Sequence, residues 1–484
     1  MPTIQNTPGV YIEEAATLTP SVAEVPTAIP IFIGYTQHAR IERTQENLTL
    51  KPVKIFSLTE FREYFGSAQE EDNGITVTIT DTYSNEALSN RRIQGSLTPT
   101  AGNGLSMHNL YYAMQLYFAN GGGACYVISV KNFSGTASLV DKDDLGKGLE
   151  ELPDEATLIV IPEAIHLTPA DMATLYSKAL DKAAKTNDKF VIIDVKMNGN
   201  NTDTITTDIA DFRAQSFPGE NRKFGAAYYP YLDTTIDYSY NPAGVVINHE
   251  LIGAPSTLQP VYHQMKLTGG DSENINAKDK SLYFQILTAI SQIPLRLPPS
   301  PAIAGVYSRV DRDRGVWKAP ANVNVVGVSK PALLIDDSRQ GNMNVDPESG
   351  ISVNAIRSFP GKGTVVWGAR TLHGLHPEWK YINVRRLFNL IEESVRKTTD
   401  RFLFEPNTTS TWLMVKAMLD NYLYGLWQRG ALAGSRPEQA YFVKVGAPLP
   451  DDINNGIMRV EVGVSAVRPA EFIIIRFSQQ LQQA

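Results

Sequence analysis

The stretch that decides the fold class is Thr157-Leu-Ile-Val-Ile161, then Pro169-Ala-Asp-Met-Ala-Thr-Leu-Tyr-Ser-Lys-Ala-Leu-Asp-Lys-Ala-Ala-Lys185, then Phe190-Val-Ile-Ile-Asp-Val195. Two short runs with few polar residues flank a longer helical segment. A strand that is apolar all along its length must be covered on both faces. A helix joining two such strands is the crossover of a parallel sheet. The alternation continues with a helix over Thr204–Gln215 and a strand over Phe224–Tyr231, so residues from about 140 to 235 read as an α/β domain. Asp194 falls near the end of its strand, where α/β enzymes often place a functional acid. A capping or loop-bonding aspartate is the simpler reading, because no convergent partner lies nearby in sequence.

Toward the N-terminus, Ala28–Tyr35 (AIPIFIGY) reads as a buried strand ending at Gly34. The preceding residues 1–30 form an extended arm, because Pro2, Pro8, Pro20, Pro26 and Pro30 forbid a long helix. Within it Gly9-Val-Tyr-Ile-Glu13 alternates like a strand. A floppy terminus is one reading of the arm; a strand pairing elsewhere, even on another chain, is the other. Phe56–Phe65 is a short amphipathic helix with Ser57 or Thr59 as its cap, stopped by Gly66. Residues 67–104 are polar around one alternating piece, Ile75-Thr-Val-Thr-Ile79, and read as a hairpin or surface insertion. Leu105–Ala119 is a helix, Gly121–Gly123 stop it, and Cys125–Val130 is a strand. Further on, Asp279–Gln292 is a helix. Gly305–Asn322 is dense in charge and reads as a loop with ion pairs. With Arg309, Asp311, Arg312, Asp313 and Arg314 it could also serve as a contact surface.

The chain has 484 residues, for which length alone predicts roughly two to four domains. An apolar fraction of 43% and a charged fraction of 20% fit a globular protein with sizeable cores. A formal net charge of −7 argues against nucleic-acid binding, which relies on clustered Lys and Arg. A single cysteine, Cys125, rules out an internal disulfide framework and a multi-Cys metal site. It lies in the apolar run Ala124–Val130 and reads as a small buried hydrophobe. The opening MPTIQNTPGVYIEE has neither a positive start nor an apolar core, and no window approaches the ~20 apolar residues of a membrane span. The expectation is assembly in the cytoplasm without a signal peptide. If the protein acts outside the cell, it leaves by lysis or by a route other than general secretion.

The usual chemical motifs fail one by one. Gly121–Gly123 precedes a strand, whereas a phosphate loop follows one and opens a helix. Pro360-Gly-Lys-Gly-Thr364 lacks the upstream Gly and the Lys-Ser/Thr pair. His373 and His376 are separated by Gly374, and Pro377 follows, so no helix aligns them on a metal. No Gly-x-Ser-x-Gly elbow or His-Glu-x-x-His occurs. No cofactor and no metal are expected.

The last third is the most patterned part. In Tyr381–Lys397, Ile382, Leu387, Leu390, Ile391 and Val395 form an apolar helical stripe, with Arg385, Arg386, Arg396 and Lys397 off it. Those four form either a solvated face or a cationic strip for an acidic partner. In Thr411–Trp427, Trp412, Val415, Leu419, Tyr422, Leu423 and Leu426 share a face that Met414, Met418 and Trp427 widen. Two apolar strands close the chain, Met458–Val464 and Glu471–Phe477.

These residues resemble the sheath proteins of contractile phage tails and of phage-tail-like injection particles. The resemblance rests on the arm Thr7–Glu14, on Val25–Gly34, and on Pro298-Pro-Ser300 and Ala304-Gly-Val-Tyr307. It continues through Asp311–Asn322, Val366-Trp-Gly-Ala-Arg-Thr-Leu372, Tyr381-Ile-Asn-Val-Arg-Arg386, Phe404-Glu-Pro-Asn407 and Gly430–Gly434, in the family's order. Residues 67–104 and 135–290 carry little of it.

The resemblance implies a structural, non-enzymatic subunit. It polymerises helically, in rings usually of six, around a rigid inner tube. A metastable extended state contracts on baseplate triggering and drives the tube through a target envelope. Terminal strands complete the sheets of neighbours by β-augmentation. On this sequence the linking arm is about Val10–Val25, with Val10, Tyr11 and Ile12 as its pairing residues. The linking strand carries Phe472, Ile473, Ile474, Ile475 and Phe477, with Met458–Val464 as hairpin partner across Ser465–Pro469. The expected fold is mixed α/β and multi-domain. An arm (1–24) precedes a core domain (25–60 plus 340–484), and 61–339 is an inserted outer region holding the α/β domain. Arg385, Arg386, Arg396 and Lys397 are expected to face the tube, since screened charge pairs hold yet release. Expected partners are the chain itself, the tube protein, and baseplate and terminator or cap proteins. Neither nucleic acid nor direct membrane insertion is expected. A static baseplate or tail protein and an α/β enzyme centred on Asp194 are the competing readings.

Overall fold

The computed structural model describes residues 21–71, 74–97, 106–133, 139–215, 217–269, 274–447, 449 and 451–472. The chain divides into two units, one of residues 26–392 with 468–484 and one of residues 1–25 with 393–467.

The larger unit is built on a nine-stranded sheet. Its interior strands run parallel in the order Val353–Phe359, Gly225–Tyr229, Phe190–Asp194, Leu158–Val160, Pro30–Thr36, Cys125–Asn132. Antiparallel strands close both edges: Val53–Ile55 on one side, Gly363–Val366 and Val323–Asn324 on the other. Every residue of Pro30–Thr36 is buried. Side chains alternate across a strand, so Ile31, Ile33 and Tyr35 join one core while Phe32 joins the other. The first core is roofed by helices Pro169–Thr186 and Thr204–Arg213, the second by Leu110–Ala119 and Ser300–Arg314.

A second sheet of the same unit pairs Val246–Ile252 in parallel with Ile75–Ser84, which turns back into Ala87–Leu97. Asn85 and Glu86 turn the hairpin at φ 51° and 61°, the left-handed pair that a tight two-residue hairpin requires. Ile75, Val77 and Ile79 bury against Leu282, Ile286 and Ile290 of helix Lys280–Ser291. The polar stretch 67–104 therefore does contain a hairpin, and one face of it is core.

Two expectations need correction. Gly305–Asn322 is not a loop: residues up to Arg314 belong to helix Ser300–Arg314. The small apolar face Ala302–Tyr307 is buried and carries the helix. Arg312 and Arg314 sit in its last turn, where cations suit the dipole, and Gly315 at φ 86° ends it. The α/β strands also do not form a separate inserted domain. Pro30–Thr36 pairs with Cys125–Asn132 on one side and Leu158–Val160 on the other. A strand buried along its whole length needs neighbours at both edges, and the α/β strands are those neighbours. Residues 353–366 extend the same sheet, whereas 393–467 group apart.

In the smaller unit, helix Thr409–Gln428 buries Val415, Met418, Leu419, Tyr422, Leu423 and Leu426. The helix packs on strand Tyr441–Gly446, which pairs antiparallel with Arg459–Val464 from Tyr441↔Val464 to Gly446↔Arg459.

Candidate assembly interface

The hairpin of the smaller unit is the open element. Among the described residues its sheet has two strands only. Each outer edge presents backbone N–H and C=O groups, which folded proteins normally cover and which strand-adding partners use. The turn side is held by Asp452, whose carboxylate accepts both Arg459 Nε and Nη2 at 3.0 Å. Arg459–Val464 pairs with Tyr441–Gly446 along one edge, while the expected partner strand Phe472–Phe477 lies, apart from Phe472, outside the described residues. The closing bonds to Asp452 and the six-pair register bind Arg459–Val464 to the preceding strand. Val10, Tyr11, Ile12, Ile473, Ile474, Ile475 and Phe477 lie outside the described residues. Phe472 is described and is 73% exposed.

The four cationic residues separate into two kinds. Arg385 and Arg386 are each 3% exposed, so they face no tube in this conformation. Arg385 lies over the rings of Trp379, Phe224 and Phe388, with Nε on Asn389 Oδ1 at 2.7 Å. Arg386 grips Asp311 through Nη1 at 2.9 Å and Nη2 at 2.5 Å. Sequence reasoning put them on a surface because helical periodicity assigns charges outward. Nothing local says that Asp311, far upstream, waits for Arg386. Arg396 and Lys397 are exposed and both bond Glu393, at 2.7 Å and 3.1 Å.

In the larger unit two residues close to the chain termini, Thr27 and Glu471, each sit beside a buried arginine. Thr27 Oγ1 donates to Asp311 Oδ2 at 2.6 Å, and Arg386 Nη2 donates to the Thr27 carbonyl at 2.9 Å. At the other end Arg370 Nε and Nη2 hold the Glu471 carboxylate at 2.9 and 2.6 Å, joined by Tyr381 Oη at 3.2 Å. That carboxylate raises the Arg370 pKa above its ordinary value. These clusters were not legible as sites, although Arg370, Asp311 and Arg386 all fall inside quoted signature stretches.

The residues weighed for chemistry are engaged within the fold. Asp194 is fully buried and accepts Ser300 N–H at 2.8 Å and Ser300 Oγ–H at 2.5 Å, capping helix Ser300–Arg314. Burial pushes its pKa up to about 7. Glu163 does similar work, accepting Tyr35 N–H at 2.8 Å and Leu110 N–H at 3.4 Å. Gly34 leaves room for it, since a Cβ there would stand 2.9 Å from its Oε2. Cys125 is buried, and desolvation raises its thiol pKa. His376 Nδ1 is taken by the N–H groups of Glu378 and Trp379. A cleft of about 960 Å³ is lined by Asn109, His166, Asn200, Tyr231 and Arg296, among others. Asn109 there bonds His166, and Arg296 bonds Asn200 and Asp233. Among the described residues no group of His, Cys, Asp and Glu could hold a metal, and no helix is long and apolar enough to cross a membrane.

The whole chain superposes on the sheath of an extracellular contractile injection system, PVC, solved in its contracted state. The identity is 30% over 99% of each chain, with a TM-score of 0.62. The chain belongs to the contractile tail sheath family. The family's phage tail sheath C-terminal domain model matches residues 376–480 of this sheath chain. A chain of the six-fold symmetrised baseplate of the anti-feeding prophage is 29% identical over 99% of this sheath chain and 100% of its own, with a TM-score of 0.61. The tail sheath protein of Vibrio phage KVP40 is 30% identical over 28% of this chain and 20% of its own length. The sheath chain thus spans only about a fifth of that phage relative.

Proposed function

We propose that this chain is the repeating subunit of a contractile sheath. It polymerises as stacked rings around an inner tube, is held in an extended state set at assembly, and shortens to push the tube through a target envelope. The observation that carries this reading is the end-to-end likeness to a sheath solved in the contracted state. The two-stranded hairpin supplies the means. Its open edges accept strands from neighbours, and the segments about Val10–Val25 and Phe472–Phe477 are the strands given. Heterologous contacts that do not close on themselves generate an open helix. No nucleotide is needed for the stroke if contraction increases buried contact. A few kcal/mol per subunit, roughly the gap between two packings of one chain, sums over the lattice. Of the cationic strip, Arg396 and Lys397 remain as tube-facing residues. Partners are further copies of the chain, the tube protein, and baseplate and end-capping proteins.

The test is electron microscopy of the expressed protein. Tubes with two distinct helical parameters, before and after triggering or mild destabilisation, are expected. A single fixed helix would make this a static tail component. Monodisperse monomers at high concentration, with both termini intact, would defeat the assembly reading altogether. Removing residues 1–22 should leave folded subunits that cannot link, and normal tubes after that deletion would refute the arm.

A further inference from the structure

We infer that Arg370 and Arg386 are tension anchors: each fixes the chain next to one terminal segment, and both pass their load to one strand. This rests on reading the two termini as linking strands.

Each anchor lies next to a terminal segment. Thr27 directly follows the residues that end the N-terminal arm, and both its carbonyl and its hydroxyl are engaged by the Arg386–Asp311 pair. Glu471 is half-buried on Arg370, while the next residue, Phe472, stands in solvent. A buried ion pair is a poor way to gain stability, because desolvation offsets much of its attraction. What a two-pronged guanidinium–carboxylate contact adds is direction: it resists both sliding and rotation. Two such contacts, one next to each terminal segment, therefore serve geometry.

The load paths converge. Arg370 is fixed from behind by Asn354, whose Oδ1 accepts Arg370 N–H at 2.8 Å and whose Nδ2 donates to the Arg370 carbonyl at 2.8 Å. The same Nδ2 reaches the Ala227 carbonyl at 3.1 Å, on strand Gly225–Tyr229. Arg386 lies over the Tyr307 ring at 4.6 Å, and Tyr307 Oη bonds Tyr228 Oη at 2.7 Å, on that same strand. Ala227 and Tyr228 are adjacent and fully buried. A pull on one terminus enters the sheet at one of these residues and leaves through the other. The subunit then turns as one body between its neighbours instead of unravelling from its ends.

The test uses full-length Glu471→Gln and Thr27→Val, beside a chain lacking residues 473–484. Both point variants keep the side-chain volume and lose an anchor contact; Thr27→Val should leave subunit melting close to wild type, while Glu471→Gln, which sets the buried Arg370 beside a neutral partner, should lower it. Their tubes should form but break into several-fold shorter pieces under fixed shear, and dissolve at lower urea. The truncated chain should form none. Point-variant tubes as long and urea-resistant as wild type would overturn the anchors while the linking strands stand. Normal tubes from the truncated chain would overturn the C-terminal linking strand, and the Arg370 anchor with it. Should Glu471→Gln lower subunit melting as much as tube strength, Glu471 is a stability residue and the proposal fails. Thr27→Val tests the N-terminal anchor by the same two readouts.

Discussion

Phe404 stands at φ 66° with its side chain fully in solvent, in a backbone region that costs a non-glycine residue roughly 1–2 kcal/mol. The neighbouring Asn407 and Pro406 brace helix Thr409–Gln428: Asn407 Oδ1 accepts Trp412 Nε1–H at 2.7 Å, and the Pro406 carbonyl accepts Thr411 Oγ1–H at 2.7 Å. Phe404 is fully exposed, so a role in contact between subunits is testable by substitution. Phe404→Gly is expected to leave calorimetric stability within about 1 kcal/mol of wild type, since strain relief offsets added unfolded-state freedom. The variant should cut tube yield in negative-stain counts. Asp311→Asn leaves Arg386 buried beside a neutral partner and should cost about 3–5 kcal/mol in urea unfolding of the subunit. Asp194 gives a pH signature. Its folded pKa is raised to about 7, so its contribution is fully present below the unfolded value and is lost as pH rises through 7. Asp194→Asn should accordingly gain on wild type between pH 4 and 7.5 when both are unfolded in urea. A flat difference across that range would show that the carboxylate stays ionised.

At the scale of elements, the hairpin Tyr441–Gly446/Arg459–Val464 has a cross-strand pair of Phe442 with Gly463, and a Cβ at Gly463 would run into the Phe442 ring. Gly463→Val should cost about 1–3 kcal/mol in thermal unfolding by overpacking, and should weaken assembly further by tilting the strand that neighbours read. The elements are where the sequence was most legible. Pro169–Lys185 and Phe190–Val195 were readable because a buried parallel strand and its crossover helix write their patterns locally. Phe56–Phe65 was readable for its Ser57 cap, whose Oγ accepts Glu60 N–H at 3.3 Å. Helix Ser300–Arg314 was missed because its charged second half, which bonds residues far away in the chain, looks like a loop when read alone. The pairing of Arg459–Val464 with Tyr441–Gly446 was not read from the sequence for a related reason. Arg459–Val464 has suitable strands on both sides in sequence, and periodicity cannot say which it takes. The site was legible only through the signature stretches: their order gave the family, while their roles needed the bonds Arg370–Glu471 and Arg386–Asp311.

For the whole molecule, backbone pairing between subunits and ionic pairing with a tube respond differently to salt. Raising ionic strength from about 0.15 M to 1 M shortens the screening length from about 8 Å to 3 Å. Tubes of this chain should survive that change by light scattering, while a co-assembled inner tube held by Arg396 and Lys397 should wash out. Loss of both together would assign the lattice itself to charge. The two-stranded hairpin has one more consequence. Under the proposed linkage, a subunit that offers two edges and gives two strands has matched valences, so inside a lattice every edge would find a strand and nothing would be left over. At the first and last rings the matching would fail: one end would carry bare edges, the other unspent strands. A growing filament of this chain could therefore not finish itself. On that proposal its length would be set from outside, by partners that supply strands at one end and accept them at the other.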